Sequence, residues 1–465
     1  MRTMRLITTT LAVGSMLLVC AQEVRLPHYT RQVLPNGVVV NFMQRTGVPM
    51  VEFHLAVRGG DESDPADMAG LSAVTAVLLR RGTKNRTADQ FSEQLDSLGG
   101  SFFAGTQTGS PATMMNAAFL SKDLAAGLDL FADAVLNPTF PEAEVKKTLA
   151  QRIDAVRSSK DNLQAANGEY FRAFYYGPDH PYGHVATEAT LGKIDRNAIV
   201  EDHRKFYCGR NMILTVAGSF DESEALAAIK KTFGGLAEGA MYVPVKDAKP
   251  EAGARLLLID KPDATQTYFA IGMPGVPRNN PDRFKLQVLN TLFGGRFTSI
   301  LNDELRVNTG LTYGAGSVVE QQRLPGAIII RTYTKTETTE RAMDTALALL
   351  KKFNEKGITA QQLSSAKAYI KGEYPPRHLE TAGQLASILT DMELFGLSRG
   401  EVDDFFSGID SVSLEQADEA AHKYYSPASL TFTVLGNASK IKPFVSKYAP
   451  KIVEVEWKTP GFPTR

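Results

Sequence analysis

Cysteine is nearly absent from this sequence, which has only two in 465 residues. One of them, Cys20, lies in a segment with the features of a cleaved leader, so only Cys208 would remain in the mature chain. A single cysteine excludes an internal disulfide. The stability of the protein must therefore come from buried apolar cores.

An excess of charge of one sign is also absent, because Lys+Arg and Asp+Glu both number 51. This balance gives no sign that nucleic acid or an anionic membrane is the main partner. Beyond the leader, no run of residues is long and apolar enough to span a membrane. The hydrophobic content of 43% is that of an ordinary globular protein.

Residues 1–21 are predicted to be a signal peptide. Two arginines precede an apolar run that is too short to cross a bilayer, and Ala21 ends a cleavage site of small residues. The alternative is a lipoprotein anchored at Cys20, although Val19 is a poor residue to precede such a cysteine. We therefore expect an exported, periplasmic protein.

The length of the chain indicates more than one core, since domains usually contain about 100–200 residues. Residues 237–253 are charged and turn-rich, and we interpret them as a linker between domains 22–236 and 254–465. The second domain repeats the first in outline: strands, a glycine-flanked helix, more strands, then helices that end in a buried strand. This faint repeat predicts two related α/β halves.

The most distinctive stretch is residues 294–317, which read GGRFTSILNDELRVNTGLTYGAGS. Apolar residues three or four positions apart predict a helix, and a strand is predicted to begin at Leu311. Arg306 falls on the last helical turn and Tyr313 lies just past the break. A connection of this kind between a helix and a strand can direct a cation and a phenol into the same cleft. The alternative is that Arg306 caps the helix C-terminus and Tyr313 packs.

This stretch resembles the C-terminal-half signature of the pitrilysin/insulinase family of zinc peptidases. The family pattern, GG-x-F-x-S-x-L-x-x-x-L-R followed by G-L-x-Y-x-x-x-S, matches at every specified position. In the family, the arginine and tyrosine of this motif reach across a cleft to a zinc site on a different domain. The resemblance, which extends over about residues 33–449, therefore implies catalytic roles for Arg306 and Tyr313.

The metal-binding signature of the family is missing. Its catalytic helix has the pattern G-L-x-H-x-x-E-H-x-x-x-x-G-T, in which the histidines bind zinc and the glutamate polarises a zinc-bound water. These three positions fall on Ala73, Ala76 and Val77, although the flanking residues match. The third ligand, a glutamate on a later helix, falls on Ala155. The resemblance thus implies no metal in this chain and zinc in a partner subunit.

Residues 97–108 are predicted to form a glycine-rich turn that enters an edge strand. The family has a comparable element lining its substrate cleft, so the resemblance implies substrate binding at Gly99, Gly100, Ala104 and Thr106. An edge strand can bind an extended peptide as an additional strand. An ordinary edge strand without a ligand is the alternative.

His180 and His184 are four residues apart, which suggests a metal site only if a helix joins them. Pro181 and Gly183 argue against that helix. A zinc enzyme in which these histidines and an acid form a relocated site is therefore a minor alternative.

We expect an α+β fold of two homologous α/β halves, with antiparallel-rich sheets flanked by helices, that face each other as a clam. The predicted function is that of a metal-free subunit of a heterodimeric exported zinc metallopeptidase, inactive alone. It would supply Arg306 and Tyr313 to a homologous zinc-binding subunit for hydrolysis of extended or unfolded peptides. The alternative is a non-catalytic structural or peptide-binding subunit, like the core subunits of the respiratory cytochrome complex.

Overall fold

The computed structural model describes residues 24–246, 248–251 and 253–464. They form two six-stranded sheets that are flanked by helices. The predicted signal peptide and the alternative lipid site at Cys20 lie outside the described residues. Among the described helices, none has the length and apolar character that crossing a membrane requires.

The first sheet contains six strands from the first half of the chain. These strands are β1 (Thr30–Val33), β2 (Val39–Gln44), β3 (Met50–Arg58), β4 (Ser101–Thr106), β5 (Ala112–Leu120) and β6 (Met212–Gly218). Their order in the sheet is β1-β2-β6-β3-β5-β4. Only β2 and β6 pair in parallel. Every residue of β6 is buried, which explains its almost continuous apolar sequence.

The second sheet repeats this arrangement. Its strands are β7 (Arg255–Asp260), β8 (Gln266–Pro274), β9 (Ala315–Gln321), β10 (Pro325–Lys335), β11 (Thr431–Gly436) and β12 (Lys451–Glu456). Their order is β12-β7-β11-β8-β10-β9, with β7 and β11 parallel as β2 and β6 are. The outermost strand differs, because β12 runs parallel to β7 whereas β1 is antiparallel to β2. The predicted α+β fold of two related halves is confirmed.

The helices cover these sheets, and several begin with a capping box in which a threonine or serine side chain exchanges hydrogen bonds with the residue three positions later. The helices are α1 (Leu71–Leu78), α2 (Ala88–Ser97), α3 (Leu124–Leu136), α4 (Glu142–Ser159), α5 (Leu163–Tyr176), α6 (Glu188–Leu191), α7 (Arg196–Phe206), α8 (Glu222–Phe233), α9 (Arg283–Asn290), α10 (Ile300–Asn302), α11 (Thr339–Lys356), α12 (Ala360–His378), α13 (Ala382–Phe395), α14 (Gly400–Asp403), α15 (Phe405–Ser411), α16 (Leu414–Tyr424) and α17 (Ala438–Val445).

The two halves exchange helices across their interface. Helix α13, from the second half of the chain, buries Leu385 and Leu389 on the first sheet. Helix α5, from the first half, buries Tyr170 and Phe174 on β7 and β11 of the second sheet. Because each sheet needs a helix from the other half to cover it, the halves are held together by apolar packing.

A buried ion pair also joins the halves. Glu62 follows β3, and Arg323 lies in the turn between β9 and β10. The Nε atom of Arg323 lies 3.1 Å from each carboxylate oxygen of Glu62, and the Glu62 side chain is fully buried. The single Nε–H is shared between the two carboxylate oxygens, and the Nη2 atom of Arg323 lies 3.0 Å from one of them.

The distinctive stretch 294–317 differs from its prediction in two respects. Instead of one regular helix it forms α10 followed by a π-helical turn of six residues. The predicted start of a strand at Leu311 is wrong, because β9 begins two residues after Tyr313. The backbone N–H of Leu311 donates to the carbonyl of Leu305 at 2.8 Å, which turns this segment back onto the end of the helix and leaves Tyr313 in a loop.

Candidate functional site

Helix α1 occupies the place where the resemblance puts the lost metal site. It follows Gly70, whose φ of 98° lies in the left-handed region that favours glycine. Ala73, Ala76 and Val77 line a cavity of about 780 Å³, the first cavity. None of the three offers a nitrogen, oxygen or sulfur ligand, and no three His, Cys, Asp or Glu side chains gather as metal ligands within the described ranges. These residues do not fit zinc.

The resemblance puts the position of the third ligand at Ala155. Ala155 lies on the exposed side of α4. Ile153 and Val156 take the inward positions and pack against the core of the first half, which turns Ala155 towards solvent. Arg152, one helical turn before Val156, lines the first cavity instead. An arginine at this place cannot bind a metal cation.

Strand β4 forms the edge of the first sheet beside α1. Of the four residues predicted to bind substrate, Ala104 and Thr106 line the first cavity, whereas Gly99 and Gly100 do not. Gly99 has a φ of 57° in the turn before the strand, and a Cβ at Gly100 would lie 2.5 Å from the ring of Phe119. These glycines shape the turn, and β4 leaves one edge free to pair with an extended peptide.

Arg306 and Tyr313 form a pair in which the tyrosine is exposed and the arginine is partly buried. The guanidinium carbon of Arg306 lies 4.4 Å from the centroid of the Tyr313 ring and 4.8 Å from that of Phe297. These distances are within the range of cation–π attraction. The Tyr313 side chain is 74% exposed, so it does not pack in the core as the alternative required. The motif therefore places the cation of the π-helical turn beside an exposed phenol in the loop that follows.

Hydrogen bonds from Asn302 hold together the two ends of the segment that contains Arg306 and Tyr313. The side-chain amide of Asn302 donates to the carbonyl of Phe297 at 2.7 Å, and its oxygen accepts from the backbone N–H of Ala315 at 3.3 Å. Gly294 lies against β9 so closely that a Cβ would be 2.2 Å from the nitrogen of Ser317. This close approach explains the glycine that opens the motif.

Tyr313 and α1 lie at different cavities. Tyr313 lines a second cavity of about 680 Å³, together with Tyr333 and Tyr369. None of its lining residues also lines the first cavity. A third cavity of about 480 Å³ lies between them, because it shares Gln321 with the first and Val318 with the second. Tyr313 of the motif thus lines a different part of the molecule from the alanines of α1.

Models of two protein domains match this sequence. The model described as insulinase (peptidase family M16) matches residues 40–171, and the model described as peptidase M16 inactive domain matches residues 193–370. The chain belongs to the peptidase M16 family. The resemblance to the pitrilysin/insulinase peptidases is therefore confirmed. The match to the inactive domain agrees with a non-catalytic M16 subunit.

The M16 relatives cover most of the chain. An uncharacterized zinc protease of Mycobacterium leprae is 28% identical over 398 residues, which are 84% of this chain and 88% of that protein. Another from Rickettsia felis is 27% identical over 343 residues, 73% of this chain and 81% of that protein.

The solved structure of a peptidase M16 inactive domain from Pseudomonas fluorescens has a TM-score of 0.81 at 22% identity and covers 88% of this chain and 98% of its own. A protease from Helicobacter pylori gives 0.81 at 21% identity, with 88% and 100% covered. These two structures share the M16 fold.

The histidines considered as a relocated metal site in this M16 chain are bonded to the backbone. The Nδ1 atom of His180 accepts a hydrogen bond from the backbone N–H of Tyr182 at 3.0 Å, and Nε2 of His184 lies 3.0 Å from the carbonyl of Pro178. Burial lowers the pKa of His180 to about 4. Within the part of the chain that the structure describes, they meet no acid that would complete a metal site.

Sequence reasoning missed two arginines of the first cavity. Arg80 follows Ala76 by about one helical turn, and Arg152 comes from α4. The four-residue spacing from Ala76 was a usable signal for Arg80, since residues four apart on a helix share a face. No comparable signal existed for Arg152, because its place depends on how α4 packs against α1.

A buried carboxyl group behind α1 makes stability depend on pH. Burial raises the pKa of Asp202, on α7, from 3.8 to about 7, against the smaller opposing effects of Thr75 and Lys205. The folded state therefore binds more protons than the unfolded state between these values, so stability falls as pH rises through that range. A shift of this size corresponds to the order of 4 kcal/mol.

We expect Asp202→Asn to remove much of this dependence and to be more stable than the wild type at pH 8 but not at pH 4. Urea denaturation at both pH values measures the effect. Asp154→Asn, at an exposed site on α4, is the matched control and should leave the pH dependence unchanged. The same slope in the Asp202 variant and the wild type would contradict the assignment.

Proposed function

We propose that this chain is the metal-free subunit of an exported, two-chain zinc peptidase, and that it supplies Arg306 and Tyr313 to the active site of a homologous partner. The proposal is supported by a preformed Arg306–Tyr313 pair whose tyrosine is exposed, together with a helix α1 in which Ala73, Ala76 and Val77 offer no metal ligand. A partner that keeps H-x-x-E-H would hold the zinc. The pair would then serve that site.

The two side chains would have different roles. The phenol of Tyr313 would donate a hydrogen bond to the oxyanion that forms when the peptide carbonyl is attacked, and such a donor acts mainly on the transition state. The guanidinium of Arg306 would hold a backbone carbonyl of the substrate and keep the peptide in register. Its contacts with Phe297 and Tyr313 limit its freedom before substrate binds.

Extended or unfolded peptides are the substrate class that this architecture favours. Strand β4 has a free edge, and an extended peptide can pair with it through main-chain hydrogen bonds. Ala104 and Thr106 would contact that peptide where β4 lines the first cavity. Most segments of a folded protein already pair their main-chain groups and cannot extend along β4, so folded proteins would be poor substrates.

Export and domain division belong to the same proposal. Cleavage after Ala21 would leave a mature chain that begins at Gln22, with domains 22–236 and 254–465 joined by residues 237–253. Sequencing of the mature N-terminus would distinguish this chain from a lipoprotein that begins at Cys20.

The purified chain is expected to contain far less than one zinc per molecule, because Ala73, Ala76 and Val77 cannot bind metal. Elemental analysis of the chain alone and of its complex with an H-x-x-E-H partner measures this directly. Zinc should appear only with the partner. Tight stoichiometric zinc in the isolated chain would contradict the proposal.

A further inference from the structure

Two arginines of the first cavity have no partner of opposite charge. Arg80 and Arg152 are both partly buried, and neither makes a hydrogen bond or ion pair with any residue that the structure describes. Burial, and then the neighbouring charge of Arg81, lower the pKa of Arg80. A partly buried guanidinium without a counter-charge is unfavourable, so an anion at this place would be stabilised.

Two other charged side chains, Arg278 and Asp391, also line the first cavity. Arg278 is paired with Glu401 at 3.3 Å. The pKa of Asp391 is raised by burial, and the charges that act on it are those of Arg278 and Glu401 rather than of Arg80 or Arg152. No acidic side chain of the cavity lining therefore neutralises Arg80 and Arg152.

The surroundings of the two arginines suit an extended peptide. Strand β4 lies beside α1, and no strand in the described part of the chain pairs with its outer edge. The small side chains of Ala73 and Ala76 leave open the space between this edge and the arginines. A peptide that pairs with β4 would thus pass in front of Arg80 and Arg152.

We propose that Arg80 and Arg152 bind a carboxylate of an extended peptide that pairs with β4. The planar fork of a guanidinium matches a carboxylate with two parallel hydrogen bonds. The carboxylate belongs to an acidic side chain or to the C-terminus of the peptide. These fixed positive charges line the same cavity as Ala73, Ala76 and Val77, the positions to which the resemblance assigns the lost metal site. The inference rests on the proposed peptide binding along β4, but not on the supply of Arg306 and Tyr313 to a partner.

Fluorescence anisotropy with three labelled, unstructured peptides of Ser, Thr and Val tests this inference. One is neutral with an amidated C-terminus, one has a free C-terminus, and one is amidated but has a central Glu. We expect the wild-type chain to bind at least one charged peptide about 10- to 100-fold more tightly than the neutral one, as charge-assisted hydrogen bonds predict. The double variant Arg80→Gln, Arg152→Gln should lose this preference and keep its affinity for the neutral peptide.

Two further variants separate recognition from structure. Arg204→Gln, on the exposed surface of α7, is the matched control and should keep the preference. The double variant Arg80→Lys, Arg152→Lys retains the positive charges but not the planar guanidinium groups. It should keep only part of the preference for the charged peptide. The charged peptide whose advantage is lost in the Gln variant identifies the source of the carboxylate. Equal wild-type affinity for all three peptides would overturn the carboxylate site without touching the proposed role of Tyr313. An equal loss for all three in the Gln variant would overturn it as well.

Discussion

Replacing Tyr313 with phenylalanine is expected to lower the turnover number of the two-chain complex by about 100- to 1,000-fold, because removal of one oxyanion donor costs about 2.7–4 kcal/mol of transition-state stabilisation. The ring, and with it the contact to Arg306, is retained in the variant. Since only the hydroxyl is lost, KM should change little. Steady-state hydrolysis of an unstructured peptide by the reconstituted complex gives both parameters.

The reconstituted complex of the Tyr313 variant also shows whether assembly is unchanged. Tyr313 is 74% exposed and is not part of a core, so the variant should fold and bind its partner as the wild type does in analytical ultracentrifugation. Tyr29→Phe removes a hydroxyl from the first half of the chain, where no catalytic role is proposed, and should leave turnover unchanged. Unchanged turnover in the Tyr313 variant would reject its role, whatever the complex does.

Replacing Arg323 with alanine is expected to destabilise the chain by about 3–5 kcal/mol, the usual cost of leaving one partner of a buried ion pair alone. Its partner Glu62 is fully buried and accepts two hydrogen bonds from Arg323. Burial raises the pKa of Glu62, and Arg323 lowers it. Without Arg323 that pKa rises further, so the loss should be large at pH 7 and smaller towards pH 4, where the carboxyl group is protonated in both states.

Urea denaturation at the two pH values measures this effect. Arg204→Ala is the control, because Arg204 pairs with Glu201 on the exposed surface of α7, where an ion pair contributes little. A loss in the Arg323 variant no larger than in this control would show that the pair does not hold the two halves together. A loss of equal size at pH 4 and pH 7 would contradict the charge argument.

The repeated halves could be predicted because strand, turn and helix patterns are local, and the same landmarks recur in the second half of the sequence. The exchange of α5 and α13 between the halves could not be predicted. An amphipathic sequence shows that one face of a helix is buried, but not which sheet buries it. The pairing of β12 with β7 joins the end of the chain to the start of the second half. That contact has no local signal.

The site was predictable where a motif fixes each position. The places of Ala73, Ala76 and Val77 on α1 followed from the matched glycines and threonine around them. The exposure of Ala155 could not be predicted, because α4 has no matching signature and its register depends on packing by Ile153 and Val156. The loop position of Tyr313 was missed because the backbone bond from Leu311 to Leu305 is a tertiary feature of a π-helical turn.

The most direct test of the shared site is hydrolysis of a quenched, unstructured peptide by this chain alone, by an M16 partner with H-x-x-E-H alone, and by the two mixed. We predict activity only, or far more strongly, in the mixture, with loss of that activity when a chelator is added. A stable complex without activity would favour the structural or peptide-binding subunit. Activity of this chain alone would contradict the conclusion that α1 has lost its metal.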